Sequence, residues 1–533
     1  MIFSNLGNFM KRLPLDTSSF RQIRERDFLY VDKTSWIYRM IDEGICYFLS
    51  RPRRFGKSLT INTLKELFRG NRELFRGLWI EDRWEFKEYP VLIFDFNGIS
   101  HEDPSSLKQG LFLRLKNQIE RYKIEIGESE NLYDYFQRSI VSLGDRVEQK
   151  VVILIDEYDK PILDHLGQGE ERLKIAYKNR EILKSFFGVL KEGNIVDIIR
   201  FVFVTGVSRF TKVSIFSEWN NLQDISMEPE YADFLGYSED EILRYFPDYL
   251  ERLCKEKAFS MDECMERIRY WYNGYRFSVE SDSHVYNPIS LMYCLRYGEF
   301  KNYWFRTGTP TFLVSLLKEK GYHIPELEDI KVRSELFESY DLENLPVEAI
   351  LYQSGYLTIK DATEGGEILF LSYPNQEVKI SFNGVLFQST YSATGDSFYF
   401  AKRLGDALKE ERFDDVKEHI NSIFSSLPYT LYTKADERFF HTIMYLALSM
   451  LGYDARSEVL SSRGRLDMAV IFKDKVYVLE FKVGKGAEDA ISQIREKGYA
   501  DRFRAEGKKV ILCGISFDEN KKEIQELKFL PYF

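Results

Sequence analysis

The chain has 533 residues, too many for one hydrophobic core, so two to four domains are predicted. Hydrophobic residues make up 44% and charged residues 30%, the balance of a globular protein in water, and no apolar run is long enough to span a bilayer. A net charge of −10 excludes a general nucleic-acid coat protein, and five scattered cysteines without a C-x-x-C pair exclude a zinc knuckle or a disulfide framework.

The N-terminus lacks the basic-then-apolar order of a secretory signal, and the cysteine usage suits a reducing compartment, so a cytoplasmic location is expected. The first half alternates short, continuously apolar segments with amphipathic ones. Ile45 to Leu49, Val91 to Phe96, Val151 to Ile155 and Phe201 to Val204 read as strands buried on both faces, which predicts a parallel α/β sheet.

The first of these strands feeds Arg51-Pro52-Arg53-Arg54-Phe55-Gly56-Lys57-Ser58, and a helical pattern starting at Leu59 leaves it. Gly-Lys-Ser between a strand and a helix is the arrangement in which backbone N–H groups and a helix N-terminus face phosphates. Lys57 is then expected on the β- and γ-phosphates and the Ser58 hydroxyl on Mg²⁺. The loop departs from the usual pattern at Arg51, where a glycine normally stands. The guanidinium groups of Arg51, Arg53 and Arg54 are expected to add phosphate contacts in compensation. Arg53, Arg54, Phe55, Gly56, Lys57, Ser58 and Leu59 form the expected nucleotide-binding loop.

The strand Val151 to Ile155 ends in Asp156-Glu157. Asp156 is expected to hold the Mg²⁺ and Glu157 to orient or deprotonate the attacking water. The strand Phe201 to Val204 ends in Thr205-Gly206-Val207-Ser208-Arg209. Thr205 or Ser208 is placed to sense the γ-phosphate and Arg209 to stabilise its charge, because ligands of open parallel sheets sit at strand C-termini. Beyond Leu235 the pattern turns helical, with Ser238-Glu239-Asp240-Glu241 reading as a capping box. The middle of the chain mixes helices and short strands and carries no assignable chemistry.

The last hundred residues read as helix, two strands, helix, strand, a compact α/β unit. Val476-Tyr477-Val478-Leu479-Glu480-Phe481-Lys482-Val483 places Glu480 and Lys482 on one face of an otherwise apolar strand. Two buried charges there are costly unless paired or bound to metal. The preceding strand supplies Asp467, and Lys473-Asp474-Lys475 turns the chain so that the two strands pair. Asp467 and Glu480 are expected to share one Mg²⁺, with Lys482 acting on the attacking water or the phosphorane charge. Glu458 is a further candidate ligand, with Glu437 as its rival. Gln493 on the following helix is placed to orient Lys482 or to contact a phosphate backbone. The six histidines show no ligand spacing.

Tyr30-Val31-Asp32-Lys33-Thr34, the arginine-rich loop, Asp156-Glu157-Tyr158-Asp159-Lys160-Pro161 and Trp271-Tyr272-Asn273-Gly274-Tyr275-Arg276-Phe277 together resemble the signatures of the bacterial AAA-ATPase-like family. Asp467, Glu480 and Lys482 match the core of the PD-(D/E)xK pattern found in that family's C-terminal domain, with Glu458 and Gln493 at its outer positions. The resemblance implies a P-loop NTPase parallel sheet at residues 1–234 and a helical lid at 235–280. A mixed α/β region at 281–430 and a PD-(D/E)xK restriction-endonuclease-like domain at 431–533 follow. It implies ATP and Mg²⁺ as cofactors and nucleic acid as a partner, with no membrane; self-association into a homo-oligomer is compatible with it. The expected function is ATP-dependent gating of a metal-dependent nuclease. The alternative is an ATP switch whose C-terminal domain binds nucleic acid or a protein without cleaving.

Overall fold

The computed structural model describes residues 10–127, 131–209, 215–216, 219, 221–307, 311–337, 346–428, 436–461, 464–518 and 523–532. The chain forms two compact units. The first runs to Trp304 and resumes at Lys331–Phe370; the second comprises Phe305–Ile330 and everything from Leu371.

The apolar segments of the first unit become β1 (Cys46–Ser50), β2 (Val91–Asp95), β3 (Val151–Asp156) and β4 (Ile199–Gly206), joined by a two-residue edge strand, β5 (Gln223–Asp224). They form one all-parallel sheet in the order β2-β3-β4-β1-β5. Every residue of β3 is buried, as expected of a parallel strand covered on both faces. Helix Lys57–Phe68 packs on β3 and β4, Pro104–Glu120 on β2 and Leu132–Val147 on β3. The order puts β3, β4 and β1 side by side, so the loop after β1, the acids after β3 and the polar exit of β4 converge at one edge.

Helices Glu239–Tyr245, Pro247–Lys257, Met261–Tyr272 and Pro288–Tyr297 close around Ile242, Phe246, Leu250, Ile268 and Leu291, a core that also takes Leu13, Leu29 and Val31. The expected capping box forms: the Glu241 amide donates to Ser238 Oγ at 3.2 Å, and the Ser238 amide to Glu241 Oε2 at 2.9 Å. The segment that returns to the first unit carries helix Val347–Gln353 and most of a three-stranded sheet of β6 (Ile330–Arg333), β7 (Thr358–Ala362) and β8 (Ile368–Ser372) in the order β6-β8-β7.

The second unit is built on β9 (Asp454–Ser461), β10 (Gly464–Ile471), β11 (Lys475–Val483), β12 (Lys509–Phe517) and β13 (Ile524–Tyr532), in the order β13-β12-β11-β10-β9. Only β11 and β12 pair in parallel. Alternation along β11 works as expected. Val476 and Val478 pack with Ile491 and Ile494 of helix Ala487–Lys497, while Phe481 meets His441 of helix Glu437–Ser449. The expected order lacked two strands, β9 and β13. Both lie at sheet edges and mix charged with apolar residues, and β13 contains Pro531, so neither shows the continuous apolar run of a central strand.

Candidate functional sites

The loop after β1 is held from inside the protein. Arg51 N donates to Gly206 O at the end of β4 (3.1 Å). Its side chain, only 1% exposed, donates to the carbonyls of Ser50 (2.9 Å), Ser226 (2.7 Å) and Tyr231 (2.9 Å). The guanidinium lies 4.1 Å from the ring centroid of Phe277. Burial pushes its pKa down to about 10. The expected phosphate contact from Arg51 is therefore corrected: this arginine pins the loop and does not grip a ligand. Phe55 is equally internal, with Tyr275 at 4.8 Å and Phe277 at 5.4 Å, both edge-on. Phe55 can offer a ligand its main chain but not its ring. Arg53 and Arg54 are exposed, and Ser58 and Leu59 half-buried.

Two left-handed residues shape the turn, Arg54 (φ 71°) and Gly56 (φ 98°). A Cβ on Gly56 would meet nothing within 4 Å, so its backbone angle, and not crowding, requires glycine, and the space before helix Lys57–Phe68 is open. Lys57 is buried and donates to the carbonyls of Arg51 (3.0 Å) and Pro52 (3.1 Å). The end of the first stretch and the returning segment also hold the loop. Trp304 Nε1 donates to Arg53 O (3.1 Å). Gly355 (φ 86°) approaches Pro52 so closely that an added Cβ would lie 2.7 Å from Pro52 Cβ.

The acids after β3 face the loop. Asp156 is buried, hydrogen-bonds the Ser58 side chain and keeps its Oδ1 without a partner. Burial and the neighbouring Glu157 charge raise its pKa to about 7, against the opposing pull of Ser58 and Lys57. Glu157 takes a left-handed backbone (φ 53°), which turns its carboxylate to within 3.6 Å of Lys57 Nζ. Asp159 ties the exit of β3 to that of β4. Its Oδ2 accepts from Val207 N (3.0 Å), Ser208 N (2.6 Å) and Ser208 Oγ (2.6 Å). Ser208 is thereby engaged, while the Thr205 hydroxyl is enclosed without a partner. Arg209 points elsewhere than expected. Its Nε pairs with Asp224 on β5 (3.1 Å), and its amide donates to Gln353 Oε1 (2.8 Å).

In the second unit Asp467, Glu480, Lys482 and Gln493 come together. Glu480 is 1% exposed and Lys482 8%. Lys482 Nζ donates to Glu480 Oε1 (3.2 Å) and to Phe481 O (2.9 Å), and Gln493 Nε2 donates to the same Glu480 oxygen. Glu480 Oε2 has no partner. Burial and the Asp467 charge raise the Glu480 pKa to about 7, with Lys482 opposing. The β10–β11 pairing runs from Ile471↔Val476 to Met468↔Leu479. At the next position the Asp467 side chain takes over: its Oδ2 accepts from Phe481 N at 2.8 Å. Glu437 Oε1 accepts from Val483 N at 3.3 Å, at the end of β11. Glu458 stands on β9 beside Ser457, but its side chain lies outside the described residues.

Residues 14–216 match the family described as Predicted AAA-ATPase, and residues 435–527 match the PD-(D/E)XK nuclease superfamily. Over 527 residues the chain is 37% identical to a protein of Azotobacter chroococcum mcd 1 named as an uncharacterized protein in the vnfD 5′ region; the match covers 96% of this chain and 98% of that one. The chain belongs to the AAA-ATPase-like family with a C-terminal PD-(D/E)XK domain.

The AAA-ATPase-like and PD-(D/E)XK domains each present a buried carboxylate oxygen with nothing bonded to it, Asp156 Oδ1 and Glu480 Oε2. Such an atom in a protein interior is expensive unless a cation or a proton meets it. Both donor sets are oxygen-rich and suit a hard divalent ion: Ser58 with Asp156, and Asp467 with Glu480. Among the described residues no group of three or more His, Cys, Asp or Glu gathers into a fuller metal cage. Two acids escaped the sequence reading. Asp95 is in register with Asp156 and adds to the upward push on its pKa; an apolar strand ending in an acid was the available signal. Asp159 was visible as part of the motif, but its partners at Val207 and Ser208 are tertiary. Arg276, bonded to the carbonyls of Ser278, Val279 and Ser281, serves its own turn. Among the described residues no helix is long and apolar enough to cross a membrane.

Proposed function

We propose that the AAA-ATPase-like domain binds and hydrolyses ATP, and that the PD-(D/E)XK domain is a metal-dependent phosphodiesterase acting on nucleic acid under control of the nucleotide state. The observation that carries this reading is the pair of unpartnered buried carboxylate oxygens, one beside Lys57 and Ser58, the other beside Lys482 and Gln493.

In the first domain Lys57 exchanges its bonds to the Arg51 and Pro52 carbonyls for phosphate oxygens. The N-terminus of helix Lys57–Phe68 and the open space at Gly56 receive the phosphate chain. Ser58 and Asp156 hold Mg²⁺. Glu157 accepts the proton of the attacking water. In the second domain Asp467 and Glu480 hold the metal. Lys482, fixed by Glu480 and the Phe481 carbonyl, orients the nucleophile or meets the charge developing on the phosphate. At both sites the bound ion supplies charge neutralisation for phosphate oxygens. Purified protein with Mg²⁺ or Mn²⁺ is expected to cleave DNA or RNA, with ATP changing the rate. Cleavage that persists in Asp467→Ala and Glu480→Ala removes the proposed site.

One observation favours a second reading, an ATP switch whose C-terminal domain binds nucleic acid or a protein without cutting: Lys482 already neutralises Glu480. Manganese soaked into crystals separates the two. Anomalous density between Asp467 and Glu480 supports the nuclease, and an intact Lys482–Glu480 pair without density supports the switch.

A further inference from the structure

We propose that His441 is a positioning residue for the carboxylate pair of the PD-(D/E)XK domain, holding β10 in place where its ladder to β11 stops. The role rests on the reading of Asp467 and Glu480 as a working pair, but its geometry can be tested apart from that reading.

The need for such a residue follows from the strands. Beyond Met468↔Leu479 the Asp467 carboxylate itself receives the Phe481 amide. The distance between Asp467 and Glu480 therefore depends on side-chain ties, the Asp467 carboxylate to Phe481 N and the Glu480 carboxylate to the Asp467 main chain, and on what fixes β10 from behind. Behind it stands β9, paired with both neighbours of Asp467 (Leu466↔Val459 and Met468↔Ser457), and His441 is the side chain that joins β9 to β10 at that point. Its Nε2 lies 3.1 Å from Ser457 Oγ on β9, and its ring hydrogen-bonds the main chain of Asp467 on β10. The Phe481 ring of β11 lies 5.7 Å away, centroid to centroid. One imidazole thus touches all three strands that carry the acids, beside Glu458, at Asp467 and between Glu480 and Lys482.

The helix that supplies it is built for this. Glu437 and His441 are four residues apart on helix Glu437–Ser449 and so share a face. Glu437 reaches Val483 N at the end of β11, and His441 reaches β9 and β10. His441 is 5% exposed, and burial together with the nearby His323 ring keeps the imidazole neutral. A neutral imidazole has one donor and one acceptor nitrogen, enough to serve the Ser457 hydroxyl and a strand carbonyl at once.

The test is amide hydrogen exchange at Phe481 in the full chain, comparing the wild type with His441→Phe and His441→Gln. If His441 holds Asp467, the Phe481 amide exchanges about tenfold faster in His441→Phe, the loss expected for one hydrogen bond. His441→Gln, which keeps a donor and an acceptor, restores protection, and amides shared by β12 and β13 stay unchanged in both. Unchanged exchange at Phe481 in folded His441→Phe overturns the proposal, as does a uniform rise across the whole sheet, which marks an ordinary core histidine. Manganese binding measured on the same samples judges the nuclease reading separately. A wild type that binds no manganese counts against that reading and leaves the exchange result to decide the role of His441.

Discussion

Lys57 Nζ lies 3.6 Å from Glu157 Oε1, so the lysine that would grip the γ-phosphate already touches the acid that would activate water. The two share one charge balance, and their substitutions should separate binding from turnover. Lys57→Ala removes charge-assisted hydrogen bonds worth about 1.5–3 kcal/mol, so ATP affinity measured by calorimetry should fall roughly ten- to hundredfold.

Glu157→Gln should behave differently. It keeps the size of the side chain and removes its basicity. ATP binding is expected to hold within a few-fold while phosphate release falls by about 10²–10⁴. Equal losses in affinity and rate would place Glu157 outside the chemistry.

Restoring a glycine at position 51 should not improve the loop. Arg51→Gly deletes three hydrogen bonds to buried carbonyls and the stack on Phe277, and it leaves a void. A loss of about 2–4 kcal/mol in unfolding free energy is expected, along with weaker ATP binding. A variant as stable as the wild type would show that the arginine is dispensable.

A pH signature should come from His101 and Asp164, whose side chains meet at 3.0 Å. The hydrogen bond that His101 donates to Asp164 raises the His101 pKa above 6.5. Burial pushes Asp164 up, but His101 and Lys160 outweigh it and hold the carboxyl down at about 2. The histidine's contribution to stability is complete below pH 6.5 and fades as pH rises through its folded value. That of Asp164 is present above pH 3.8 and is lost as pH falls through about 2. Thermal melts of Asp164→Asn should differ most from the wild type near pH 5, differ less once pH rises past the His101 value with the Lys160 share remaining, and converge with it only as pH falls toward 2. A difference that does not vary with pH would mean the pair is electrostatically idle.

Much of this was legible in the sequence because central parallel strands leave a strong mark. β1, β3 and β4 are short apolar runs, and the residues at their ends form the proposed nucleotide site. β11 was readable because two charges interrupt an otherwise apolar strand. The edge strands β9 and β13 lack that contrast. The function of Arg51 could not be read from its neighbours, since Phe277, Ser226 and Tyr231 are distant in sequence and a buried arginine looks like any other in a basic run. The ion pair of Arg209 was hidden for the same reason, as its partner Asp224 sits on a two-residue strand with no pattern of its own.

The segment that packs Gly355 against Pro52 also bears on how such a protein can be inherited. The chain leaves the first unit after Trp304, comes back for Lys331–Phe370 and leaves again. Each unit is thus made of two stretches of chain, and no single crossover between genes can exchange one unit whole. A fragment ending at Trp304 would carry the signature motifs and still lack Gly355 and Gln353. The ATPase-like and nuclease-like parts are therefore expected to travel through evolution as one indivisible cassette.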